Sequence, residues 1–105
     1  MIIRIVRMHF REEKAEEFLK TFETVKDKIL ATEGCQHLEL WKEAAQKSSF
    51  TTYSHWQDTE SLERYRQSEL FKETWAKTQR LFSAKPEAIS YSPAVCLPNI
   101  NILPK

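Results

Sequence analysis

Between Lys14 and Leu30 the apolar residues fall on one stripe: Ala15, Phe18, Leu19, Phe22, Val25, Ile29 and Leu30, separated by Glu, Lys and Thr. A repeat near 3.6 residues puts these side chains on one face, which is the signature of an amphipathic helix. The stripe runs out before Gly34, the single glycine of the chain. Glycine takes positive φ without steric cost, so the helix is expected to end there. A helix with one apolar face must lie on another layer, and the flanking segments supply strands rather than helices.

Ile2 to Phe10 is rich in Ile, Val and Phe and reads as a strand, with Arg4 and Arg7 interrupting it. Cys35 to Lys42 alternates, with Leu38 and Leu40 on one side and Cys35, His37, Glu39 and Trp41 on the other. Glu43 to Ser48 is a polar hairpin loop, and Phe50 to Trp56 is a third strand. Asp58 or Thr59 caps a second helix, with Glu60 in its first turn. Leu62 and Tyr65 face inward, and Ser68 is placed to restart the helix. Phe71, Trp75, Thr78 and Phe82 continue the apolar stripe with Leu70 and Leu81 beside it, until Lys85-Pro86 stops it. Ala88 to Ser92 is a last strand. The order β-α-β-β-α-β predicts an α+β, ferredoxin-like fold, a four-stranded antiparallel sheet with both helices on one face.

One domain is expected over residues 1–95, with residues 96–105 as an apolar tail that Pro98 and Pro104 keep from being a central strand. The tail is expected to pack on a partner subunit. A formal net charge of +1 with no block of like charges points to neither nucleic acid nor an anionic membrane. The opening MIIRIVRMHF is too short and too charged for a membrane span or a signal peptide. Cys35 and Cys96 form neither a metal motif nor a disulfide framework, which fits reduced thiols in a cytoplasmic protein. A chain with one glycine has no Gly-rich phosphate loop.

Two helices cover only one face of the sheet. Strand parity places His37, Glu39, Trp41, Tyr53 and His55 on the other face with Ile3 or Ile5. Monomers rarely leave such an apolar patch in water, so this face is expected to join two subunits in a homodimer. On that face His37, His55 and Glu39 read as interfacial polar partners before they read as acid–base or metal-binding groups. Lone His9, near a strand end, reads as a surface residue. In the stretch YSHWQDTESLERYRQSELFKETW, from Tyr53 to Trp75, Leu62 and Phe71, with Phe82 beyond it, read as core. Trp56, Tyr65 and Trp75 meet near the helix break, where a flat, weakly polar ligand has room beside amphipathic rings.

With these residues in view, the chain resembles the antibiotic-biosynthesis monooxygenase family of the dimeric α/β-barrel superfamily. The likeness spans Ile2 to about Val95 and rests on EGC (Glu33 to Cys35), YSHW (Tyr53 to Trp56), LERYRQS (Leu62 to Ser68) and LFKETWAK (Leu70 to Lys77). It implies two sheets facing across a dimer, and cofactor-free oxygenation of a phenol or hydroquinone by O₂. The alternative it leaves is a non-catalytic dimer that binds a small ligand or serves in stress response. The family's polyketide oxygenases carry an asparagine where this chain has Thr52, a tryptophan matched by Trp56, and a tyrosine where it has Leu62. Haem-degrading relatives place asparagine, tryptophan and the ligand histidine at positions that here hold Val6 or Arg7, Tyr65 and Trp75. Other quinol-oxidising relatives put histidines where Tyr65 and Leu70 stand. The pocket residues implied are thus Thr52, Trp56, Tyr65 and Trp75. Tyr65 is the candidate catalytic hydrogen-bond partner, with no metal, no haem and no other cofactor expected.

Overall fold

The computed structural model describes residues 1–95, so the expected tail at 96–105 lies outside the described residues. In chain order the elements are β1 (Ile2–His9), α1 (Ala15–Leu30), β2 (Cys35–Lys42), β3 (Ser49–Trp56), α2 (Thr59–Arg66), α3 (Glu69–Gln79) and β4 (Glu87–Tyr91). A single 3₁₀ turn, Glu12–Lys14, leads into α1. The strands form one sheet in the order β2-β3-β1-β4, and every neighbouring pair is antiparallel. This is the ferredoxin-like arrangement expected from the periodicity, with the second helix divided into α2 and α3.

The division has a local cause. The Ser68 hydroxyl donates to the Tyr65 carbonyl at 2.6 Å, at the end of α2, and accepts from the Phe71 N–H at 3.1 Å, at the start of α3. One side chain therefore ends one helix and caps the next. Asp58 does the same for the start of α2, its Oδ1 accepting from the Ser61 N–H at 2.8 Å. Those hydrogen bonds hold the Asp58 carboxyl below its ordinary range. A Ser68→Ala variant should lose about 1 kcal/mol of stability, the usual worth of a serine cap. Urea unfolding reads this directly, and an unchanged midpoint would show that the break is held by packing alone.

The core lies between α1 and the sheet. Met8, Phe10, Phe18, Phe50 and Leu81 are fully buried together, with Phe10 stacked on Phe18 at 4.2 Å between ring centroids. Phe82 packs against this cluster but is only partly buried. Leu30, read as part of the stripe, is 46% exposed while its neighbour Ile29 is 6% exposed, because at about 100° per residue Ile29 continues the face of Phe18 and Leu30 falls to the side of it. His9 is not a free surface residue. It is half-buried, with Nδ1 at 2.8 Å from the Oγ of buried Ser49.

Gly34 follows α1 with φ of 89° and its carbonyl accepts from the Gln57 N–H at 2.8 Å, tying the start of β2 to the end of β3. Just beyond it the β2–β3 register shifts between Cys35 and His37. The extra residue reverses the parity expected for Cys35. Cys35 pairs with Trp56 and so shares the helix-facing side, while His37, Glu39 and Trp41 keep the outer face.

Candidate functional site

The helices do not close completely on the sheet, and a cavity of about 300 Å³ remains between them. Its floor is the helix-facing side of β1 and β3, where Thr52 and Ser54 present short side chains. Phe18, Phe22 and Ile29 of α1 form one wall. The opposite wall comes from the helix break, with Leu62 and Tyr65 before it and Phe71 and Trp75 after it. The break at Gln67–Ser68 divides this wall between two short helices, and their rings line the gap instead of filling it.

Trp56, Tyr65, Phe71, Trp75 and Phe82 form a continuous run of rings. Trp56 stacks on Tyr65 at 4.9 Å, Tyr65 meets Phe71 edge-on at 5.2 Å, and Phe71 lies parallel to Trp75 at 5.8 Å. Trp75 then meets Phe82 at 5.6 Å. Offset and edge-to-face contacts of this kind hold each ring in place and leave flat faces toward the gap. Trp56 is almost wholly buried, and its indole N–H donates to Ser54 Oγ at 3.0 Å, which fixes its rotamer. The structure thus brings Thr52, Trp56, Tyr65 and Trp75 to one cavity. It also places Phe71, read as core, on the cavity wall, and Leu62 is both buried and part of that wall.

Burial raises the Tyr65 phenol well above its ordinary range, and the neighbouring Cys35 adds to the shift. Tyr65 therefore keeps its proton at neutral pH and can donate a hydrogen bond, but it is a poor base. Neither a histidine nor a carboxylate is among the described residues that line the cavity.

Two charged groups that line the cavity were not among the sequence candidates: Arg4 from β1 and Arg66 from the end of α2. Arg4 shares its strand face with Val6 and Met8, and its Nη1 donates to Ser90 Oγ at 3.0 Å. Its pKa is lowered, first by burial and then by the charge of Arg66, with Glu63 acting the other way. The available signal was strand parity. An arginine two residues before a valine and four before a methionine on an inward-facing strand face is out of place unless it meets something polar.

The outer face of the sheet carries a second cluster. His37 Nε2 lies 2.5 Å from Glu39 Oε2, and the Trp41 indole N–H donates to Glu39 Oε1 at 2.6 Å. His55 Nε2 is 2.7 Å from the Tyr53 hydroxyl, and Tyr53 stacks on Trp41 at 4.7 Å. All five residues read as interfacial thus share one face. Arg7, on the same face, holds both carboxylate oxygens of Glu43 and reaches Glu87. These bonds keep its guanidinium charged and the Glu43 carboxyl below its ordinary range. Among the described residues no group of three His, Cys, Asp or Glu side chains is arranged to hold a metal ion, and no helix is long and apolar enough to cross a membrane.

The chain is a ferredoxin-like α+β domain with an aromatic-walled cavity between helices and sheet. The profile of the antibiotic biosynthesis monooxygenase family matches residues 1–77, and the chain belongs to that family. No curated protein matches it. A conserved protein from Methanosarcina mazei Go1 is 25% identical, with a TM-score of 0.81 over 87% of this chain and 91% of that one. A structure described as an antibiotic biosynthesis monooxygenase is 14% identical, with a TM-score of 0.85 over 90% of this chain and all of that one. A Bacteroides thetaiotaomicron protein of unknown function, described as "Possible Oxidoreductase", is 21% identical, with a TM-score of 0.74 over 86% of this chain and 97% of that one. At these low identities the last two show the shared fold.

Proposed function

We propose that the protein is a cofactor-free monooxygenase that oxidises a small electron-rich phenol or hydroquinone with O₂. The observation that carries this reading is the ring-walled cavity of about 300 Å³, set in a member of this family. A flat phenol lies against the wall made by Trp56, Tyr65 and Trp75, withdrawn from water. Tyr65, held in its protonated form, donates a hydrogen bond to the oxygen on which negative charge develops, and Thr52 offers a second hydroxyl on the floor.

The chemistry balances on substrate and O₂ alone. The phenol loses its O–H proton, and the phenolate passes one electron to O₂. The radical pair combines by forming a C–O bond at a ring carbon that bears hydrogen, para to the oxygen in a phenol and ortho to it in a hydroquinone, whose product is then the hydroxyquinone. The C–H at that carbon then breaks, the O–O bond breaks, and the distal oxygen leaves as water, so that phenol and O₂ become quinone and water. The protein's share is desolvation, orientation and hydrogen bonding.

The alternative is a non-catalytic dimer that binds a small ligand, favoured by Thr52 in the family's asparagine position and by the lack of a carboxylate or histidine among the described cavity residues. Oxygen uptake with a series of benzo- and naphthohydroquinones decides between them. The oxygenase reading expects uptake above the buffer blank that falls about 10-fold or more in Trp56→Ala/Trp75→Ala, since misplacing a substrate by about 1 Å has effects of that order. Uptake equal to the blank, with a ligand still bound, would leave the binding module.

A further inference from the structure

We propose that the cavity selects an anionic aromatic ligand, its ring against the Trp56–Tyr65–Phe71–Trp75 wall and its carboxylate or phenolate oxygen held between Arg4 and Arg66. This deepens the proposed function and rests on the cavity being its binding site.

Two observations independent of any family likeness point this way. Arg4 lies on the helix-facing side of β1, beside Val6 and Met8 in a largely apolar cavity wall. Its one side-chain partner among the described residues is the neutral Ser90 hydroxyl, and no carboxylate among them lies within ion-pair distance of it. Arg4 is partly buried, and a guanidinium partly withdrawn from water ordinarily finds a carboxylate, because an uncompensated charge there is costly. The second observation is Arg66. It lines the same cavity from the end of α2, close enough to Arg4 for the two positive charges to repel. Glu63, one turn back on α2, reaches Arg66 Nη1 at 3.4 Å and offsets part of that charge. Two guanidinium groups against one carboxylate leave a net positive end on an otherwise apolar pocket. Folding alone gives no reason to bring such charges together, whereas an anion bridging them relieves the repulsion and accepts hydrogen bonds from both planar forks.

The same arrangement answers the missing base. A phenol bound with its oxygen between two guanidinium groups has its own pKa lowered by them. The substrate then ionises in place or enters already ionised, and no carboxylate or histidine has to take its proton. Arg4 and Arg66 would accordingly set substrate specificity and hold the phenolate, with Tyr65 as a third donor.

Calorimetric titration tests the claim with three probes: 2-naphthoate, its neutral counterpart 2-naphthylmethanol, and the chromogenic phenol 4-nitrophenol. The expected result is that 2-naphthoate binds about 10- to 100-fold more tightly than 2-naphthylmethanol, the range for hydrogen bonds to charged groups. That margin should disappear in Arg4→Met and fall in Arg66→Gln, with affinity for the neutral probe kept. Arg66 is exposed at the rim, so its variant folds even if Arg4→Met does not. Bound 4-nitrophenol should show its phenolate absorbance at a lower pH than free dye, and Arg66→Gln should reduce that shift. A carboxylate preference without the dye shift assigns the anion to a carboxylate, and the reverse assigns it to the phenolate. Equal binding of 2-naphthoate and 2-naphthylmethanol with no dye shift overturns the anion claim while leaving the cavity as a site. Failure of all three probes to bind overturns both readings.

Discussion

A Gly34→Ala variant is expected to lose about 2–5 kcal/mol of stability. The first part of the loss is conformational. Gly34 sits at φ of 89°, and a side chain in the left-handed region costs about 1–2 kcal/mol. The second part is steric. A Cβ at this position would lie 2.3 Å from both Cβ and Oγ of Ser61, and forcing a methyl group into filled space costs about 1–3 kcal/mol. Ser61 cannot simply turn away. Its N–H is held by Asp58, its Oγ accepts from Arg64, and it is buried at the start of α2. Small domains have only about 5–15 kcal/mol in total, so the loss is a large share. Chemical denaturation measures it, and the double variant Gly34→Ala/Ser61→Gly separates the two parts. If the close approach is real, Ser61→Gly should be less harmful in the alanine background than in the wild type. An unchanged unfolding midpoint in Gly34→Ala would show that the α1–β2 turn relaxes freely.

The same glycine shows how far the sequence could be read. Its role as the stop of α1 follows from its being the only residue there tolerant of positive φ. Its second role, the close approach of α2, joins residues 27 positions apart and has no local trace. The strands and helices were legible because each carries its own period, and Ser68 was legible as a restart because a serine before a fresh apolar run is a cap. The parity of Cys35 was misread because a single inserted residue in β2 shifts the register without altering composition. Phe71 was assigned to the core because helical spacing says which face is apolar but not whether that face is filled. Here part of the stripe, Phe71 included, lines a cavity. Arg4 was visible as an oddity in an apolar strand, yet its partner Arg66 lies 62 residues on, and two like charges brought together by folding leave no mark in a linear pattern.

We propose that the outer sheet face pairs two copies of the chain, and replacing Tyr53 or Trp41 by glutamate is then expected to leave a monomer. The outer face of the sheet presents Trp41 at 44%, Ile89 at 52% and Tyr91 at 50% exposure. Ile3 pairs with Tyr91 and Ile5 with Ile89 in register, so these side chains form a continuous patch beside the Trp41–Tyr53 stack. Monomers seldom leave such a surface in water, and a two-fold arrangement that lays one face on its copy covers all of it at once. The polar groups within the patch already satisfy one another through His37, Glu39, Trp41, Tyr53 and His55, which is what a buried face requires. A glutamate there would be a buried, unpaired carboxylate, at several kcal/mol in each subunit. Acid should weaken the folded chain that presents this face. The His55 pKa lies below its ordinary 6.5, first because burial disfavours the charged ring and then because of His37, with Glu39 opposing. A lowered histidine pKa means that its contribution is complete above 6.5 and is lost as pH falls through the lowered value. Glu39 is also shifted down, mainly by its bond from His37, and its contribution disappears as pH falls further through the carboxylate range. Light scattering at micromolar protein and pH 8 should give twice the chain mass for the wild type and the monomer mass for Tyr53→Glu. The urea-unfolding midpoint should fall as pH drops below 6.5 and His55 takes up its proton. A wild-type chain that scatters as a monomer at pH 8 would show that this face stays in water, and the pairing would have to be abandoned.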